Sequence, residues 1–434
     1  MKKARIGHDW LLPGVGLVLS AAAGAGVASE DPLVALILPL MGILAASCLV
    51  VWRPHVAIFI GIATPFSYQL PRHLFLMLAA MALLAVATFR SWATASTDAR
   101  RGAVLIATFG SSVLLLDAAV IHEGQPAAGA VLAVAYTTAV GVTAAATRIT
   151  PLLVARCLLA LGFLATYSAL TSARLTADRT TVILGENANG VGFLIALGLV
   201  AGVLLLRNRG LRGPVIGGAA AVTGVFALFA TGSRGAVLAA SVGVAVIALR
   251  RLISGGRVKA VVAVACLAGS VLLAASPVTD AFLDATGREA SGAQQNVVDR
   301  ERSLAFAVQQ GVAHPLFGIG LGGLAGGGQQ LSAHNVFGGI FAESGAIAAL
   351  LFTAICALSL LRAREHAPRS LLPLLAAVII SGLSLEWWGQ GRTGPVAMLV
   401  IGAALGLPRA ARGGPSTKEQ SRHSRPVGAG GAVG

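Results

Sequence analysis

Residues 332–361 read SAHNVFGGIFAESGAIAALLFTAICALSLL. A polar start through His334 and Asn335 gives way to a run, Val336 to Leu361, that is apolar on every side. At about 1.5 Å per residue a helix of that length crosses a hydrocarbon layer roughly 30 Å thick. Runs of the same kind recur along the chain, so the reading of this one decides the fold.

Of 434 residues, 56% are hydrophobic and only 11% charged, which excludes a soluble globular fold. Strands are not needed, because a barrel shows short alternating segments and these runs are uniformly apolar. The sequence predicts an all-α polytopic bundle of about 12 to 14 spans. Its domains follow the runs: N-terminal spans over 1–180, a core over 181–361 that includes a hydrophilic loop at 276–333, C-terminal spans over 362–408, and a Gly-, Ser- and Arg-rich disordered tail over 409–434. The basic head and first apolar run, MKKARIGHDWLLPGVGLVLS, resemble a signal peptide but are too long for one, so an uncleaved first span is expected.

A formal charge of +15 would suggest nucleic acid in a soluble protein; here placement matters more than the sum, and no nucleic-acid partner is expected. With the N-terminus cytoplasmic, most Lys and Arg fall in alternate, cytoplasmic loops, among them Arg90, Arg100, Arg101, Arg148, Arg250, Arg251, Arg362 and Arg364. Most acids fall on the opposite side. Few basic residues remain outside, Arg234, Arg300, Arg302 and Arg392 among them, and arginine there runs against the topological bias. Cys48, Cys157, Cys266 and Cys356 lie within apolar runs without C-x-x-C spacing and read as small core residues, not metal ligands.

The chemistry-bearing residues gather on that outer side. In ATGSRGAVLAA (230–240) Thr231 or Ser233 caps a helix whose N–H groups, with Arg234, make an anion site; the plain alternative is a snorkelling arginine. In DRERSLAFAVQQGVA (299–313) Leu304, Val308 and Val312 recur at helical spacing, which predicts a helix lying on the membrane surface with that side down and Arg300 towards the bundle. Gly318, Gly320 and Gly323 match G-x-G-x-x-G formally, but no strand precedes them, and they read as a sharp backbone turn. His334 stands at a helix start as a candidate base. Asn187 and Asn189 either cap a helix or bind sugar hydroxyls, and Trp387 and Trp388 read as an interfacial aromatic belt.

In their order, ENANGVGF (186–193), GSRGA (232–236), RERSL (300–304), HPLFGIGLG (314–322) and HNVFGGIFAESG (334–345) resemble the O-antigen ligase and O-antigen polymerase superfamily. The resemblance spans roughly Gly185 to Leu361. It implies an inverting, metal- and cofactor-independent glycosyltransferase in the bacterial inner membrane, with both termini cytoplasmic and the active site facing the periplasm. It also implies a donor glycan on undecaprenyl diphosphate and, as acceptor, a hydroxyl of a glycan, lipid or protein. Carried onto this chain, it makes Arg234 and Arg300 the grip on the diphosphate and His334 the base, with Asn335, Asn187, Asn189, Ser233 and Arg302 as substrate-binding candidates. Two other classes compete: a transporter or flippase for lipid-linked glycans, and an inactive scaffold of an envelope polysaccharide complex. Transport favours ionisable residues or broken helices at mid-membrane, and the spans hold mainly Arg156 and Asp117, both near span ends.

Overall fold

The computed structural model describes residues 50, 53–67, 73–119, 128–171, 188–206, 212–253, 290–326, 333–366, 371–385, 388 and 392–408. The apolar runs at 10–49 and 258–275, and segments 276–289 and 327–332 of the hydrophilic loop, lie outside these residues.

The described chain is a polytopic bundle of helices. They are α1 (His55–Ala63), α2 (His73–Trp92), α3 (Thr97–Ala119), α4 (Ala128–Ala146), α5 (Pro151–Thr171), α6 (Ala188–Leu205), α7 (Arg212–Thr231), α8 (Arg234–Ile253), α9 (Ala290–Ala313), the single turn α10 (Gly323–Gly326), α11 (Val336–Glu365), α12 (Leu372–Gly382) and α13 (Gly394–Leu405). Among the described residues α2 to α6 and α11 are long and apolar enough to cross a membrane, and α1, α7, α12 and α13 hold shorter apolar stretches. α1 is one of these: it ends at Ala63 and passes into a 3-10 turn, Thr64–Ser67, that carries Pro65. Where apolar side chains face lipid as readily as protein, small residues decide how helices meet. Gly162 of α5 and Gly198 of α6 abut backbone to backbone, and neither has room for a methyl group.

The two ends of the bundle differ in charge. At one end the arginines are tied to the helix termini: Arg362 pairs with Asp98 at 3.1 Å and donates to the Leu407 carbonyl, and Arg250 donates to the Arg364 carbonyl. Arg100 closes the last turn of α2 by donating to the carbonyls of Trp92 and Ala93. At the other end stand the starts of α6, α8, α11 and α13 and the finishes of α3, α7 and α12.

Candidate active site

The stretch that opened the sequence reading forms the centre of this second end. Asn335 caps α11: its Oδ1 accepts from the amides of Phe337 and Gly338 at 2.9 and 3.0 Å. Its Nδ2 reaches across to the Leu383 carbonyl at the end of α12. The cap requires the chain to enter the helix abruptly, and His334 makes the entry with φ at +49°, a left-handed conformation that few non-glycine residues adopt.

α11 is broken at Gly345, whose φ is +77° and whose ψ is −179°. A break inside an apolar helix leaves backbone groups to be satisfied by other parts of the protein, and here the glycine-rich turn after α9 does it. The amides of Ile319 and Gly320 donate to the Ala342 and Glu343 carbonyls, and the Ala346 amide donates to the Pro315 carbonyl. Gly318, Gly320 and Gly322 all have positive φ. Gly318 lies against the Glu343 backbone and Gly345 against the Leu316 carbonyl, so neither position admits a side chain. The formal G-x-G-x-x-G is thus a backbone splint for a broken helix.

Two buried carboxylates fasten the same turn. Asp117 Oδ1 accepts from the Leu321 amide at 2.6 Å, and Glu343 Oε1 from the Gly322 amide at 3.0 Å. The sequence marks Asp117 as an acid inside an apolar run, and Glu343 carries the same signal; neither is among the site residues named from the motifs.

α9 packs against the first turns of α11 through a face of small residues. Val308 and Val312 are exposed, whereas Ser303, Ala307 and Gly311 are buried. Leu304 abuts Gly338, and Gly311 abuts the Phe341 ring. Small residues admit close helix contact. This register turns Arg300, one helical turn before Leu304, towards α11, where it is half-buried and acts electrostatically on His334. Burial, and then the Arg300 charge, hold the imidazole below its ordinary pKa of 6.5, so it stays a neutral base. Arg302, two residues on and about 200° round the helix, is exposed on the far side.

Arg234 is the first residue of α8. Ser233 caps this helix through Oγ, 3.4 Å from the Ala236 amide, and is itself buried. Shared neighbours draw this turn towards α11. Gly235 abuts Ser384, the residue after the Leu383 whose carbonyl holds Asn335. Gly192 abuts Ser233, and half-buried Asn189 lies one turn before it in α6. The structure therefore gathers Asn189, Ser233, Arg234, Arg300, His334 and Asn335 at one end of the bundle. Asn187 lies outside the described residues.

Residues 219–353 match the O-antigen ligase family model. The matched segment begins within α7, ends within α11 and contains Arg234, Arg300, His334 and the splinted break at Gly345. Within a bundle of apolar helices, this segment is therefore similar to the O-antigen ligase family, whose members are membrane enzymes of glycan ligation and polymerisation. No curated protein matches the chain.

The aromatic reading of EWWGQGR needs correction. Trp388 is 2% exposed and packs 4.8 Å from Phe109 and 6.1 Å from Phe352, centroid to centroid, so it is a core residue and not part of an interfacial belt. Trp387 lies outside the described residues.

Proposed function

We propose that this O-antigen ligase domain moves a glycan from undecaprenyl diphosphate to an acceptor hydroxyl, with His334 as general base and Arg300 and Arg234 gripping the diphosphate. The end of the bundle that holds these residues faces the periplasm, and both termini are cytoplasmic. The observation that carries the reading is the pairing of a half-buried, neutral-biased imidazole with the Arg300 guanidinium, at the rim of a helix locked by Asn335.

The chemistry follows from those groups. His334 takes the proton from the acceptor hydroxyl as its oxygen attacks the anomeric carbon from the side opposite the leaving group. A carbon–oxygen bond forms to the acceptor and the bond to the diphosphate oxygen breaks, so the anomeric configuration inverts and undecaprenyl diphosphate departs. The negative charge that grows on the departing oxygen is held by guanidinium groups already in place, and these do their work without reorganising. Asn335 and Ser233 serve the helices that present His334 and Arg234, since their side-chain oxygens are engaged in caps. Asn189 is placed to bind sugar hydroxyls from the α6 side.

The test is transfer by purified protein in lipid nanodiscs, supplied with undecaprenyl-diphosphate glycan and a panel of glycan, lipid and peptide acceptors, without nucleotide sugar. A glycosylated acceptor together with free undecaprenyl diphosphate supports the reading. Movement of intact donor across vesicle membranes with no new glycosidic bond would make the protein a transporter.

A further inference from the structure

A large cavity lies away from the candidate active site. It is a groove of about 720 Å³ between α2, α3 and α4, lined by Met81, Phe89 and Trp92 of α2, Leu114 of α3, and Ala139 and Val142 of α4, among others. That size is within the roughly 300–1,000 Å³ typical of small-molecule sites. All three helices are long and apolar enough to span a bilayer, so the groove opens sideways into hydrocarbon.

Of its fifteen lining residues only Thr88, Ser111, Thr138 and Thr143 carry a side-chain hydroxyl, and most of the others are apolar. The Thr88 and Thr143 hydroxyls bond each other at 2.8 Å, and Thr143 also donates towards the Ala139 and Leu84 carbonyls. The groove therefore suits an unbranched apolar chain. It runs from mid-bundle to the arginine-rich end, where Phe89, 85% exposed, and Trp92 form its mouth. There the Arg100 guanidinium lies 3.1 Å from the Trp92 carbonyl, and Arg90, Arg101 and Arg148 are exposed at the same end, on the termini of the three helices that form the walls. An apolar slot with aromatic lips and a cationic rim is complementary to one kind of molecule, an acyl chain joined to an anionic headgroup at the membrane interface.

We infer that the α2–α3–α4 groove is a binding site for an anionic phospholipid of the leaflet at the arginine end, with one acyl chain in the slot and its phosphate on the arginine rim. The site is separate from the transfer chemistry and does not depend on it. It gives the bundle a lipid-sensitive brace on the side opposite the catalytic residues.

The probe is phosphatidylglycerol carrying a photoreactive diazirine in one acyl chain, irradiated with the full-length protein in vesicles and mapped by peptide mass spectrometry. The expected result is labelling concentrated on α2, α3 and α4 at groove residues. Excess unlabelled phosphatidylglycerol suppresses it and phosphatidylcholine does not. Ala139→Trp, which fills the slot, removes the groove labelling. Because a bulky residue there can disturb folding, Arg90→Gln and Arg148→Gln provide a second arm at exposed positions. Each lowers the preference for phosphatidylglycerol by about fivefold, the effect of one arginine near a membrane surface. Labelling spread evenly over bilayer-facing helices, or equal competition by phosphatidylcholine, would reduce the groove to ordinary lipid contact. Protection of the groove by residues 10–49 of this chain or by a second copy, seen as peptide cross-links from a photoreactive residue at Ser111 in place of lipid adducts, would also overturn the proposal.

Discussion

Arg300 on α9 acts on His334 across the junction with α11, and its positive charge disfavours the imidazolium form. The sign of the pH dependence follows. Below its folded pKa His334 carries a proton and cannot accept one, so transfer declines on the acid side. Since burial and Arg300 both hold that pKa below 6.5, wild-type activity keeps its base form at pH 6.5. Arg300→Gln removes the smaller of the two causes, so the His334 titration moves up part of the way towards 6.5. Side-chain NMR of histidine-labelled protein, with the His334 signal assigned by its loss in His334→Asn, measures the shift whether or not the variant turns over. A titration unchanged by Arg300→Gln would separate the two residues.

Gly345→Ala tests the broken helix. The new methyl group meets both a positive-φ, extended-ψ backbone that is essentially restricted to glycine, unfavourable by roughly 1–3 kcal/mol, and the Leu316 carbonyl already in contact. The variant should lose at least that much stability and release the turn at 315–323. Thermal unfolding in detergent reads the first effect, and hydrogen exchange of the Ile319 and Gly320 amides reads the second.

Asn335 combines a cap with a tether to α12. Asn335→Ala loses about 1–2 kcal/mol of stability, and transfer falls with it because His334 is no longer held in its left-handed entry. Asn335→Asp retains the accepting oxygen and loses only the bond to Leu383, so it should keep most of the melting temperature. Equal losses in both variants would assign the stability to the tether and not to the cap.

The site and the bundle are legible in the sequence to different degrees. Long apolar runs leave a backbone in lipid no choice but helix, so the architecture follows from composition. The face by which α9 meets α11 does not, because the small Ala307 and Gly311 make that contact, and small residues carry no strong signal in the sequence. Trp388 is hidden for a similar reason: an aromatic residue near a span end suits the interface and the core equally well. The pairing of Asp117 with the Leu321 amide joins groups 204 positions apart, and nothing local to either announces it. What the sequence does anticipate is that Arg234 and Arg300, set apart there from the basic loops, share one end of the bundle with His334.

Trp388 gives a direct check of the core assignment. Trp388→Ala should destabilise the protein by about 3 kcal/mol or more, as for a large buried aromatic. Its indole nitrogen has no hydrogen-bond partner among the described residues, so Trp388→Phe loses only volume and should retain most of the stability. A residue of an interfacial belt would tolerate both changes in a thermal-shift measurement.

The central claim assigns binding of the diphosphate to the arginines and proton transfer to the histidine, and donor binding measured separately from turnover tests it most directly. Undecaprenyl-diphosphate glycan is titrated onto wild-type protein and the Arg234→Ala, Arg300→Ala and His334→Ala variants in nanodiscs, and single-turnover transfer is then followed in each. The account predicts that both arginine variants bind the donor weakly, while His334→Ala binds it as wild type does and transfers nothing. Wild-type transfer by His334→Ala, or unimpaired donor binding in both arginine variants, would contradict it.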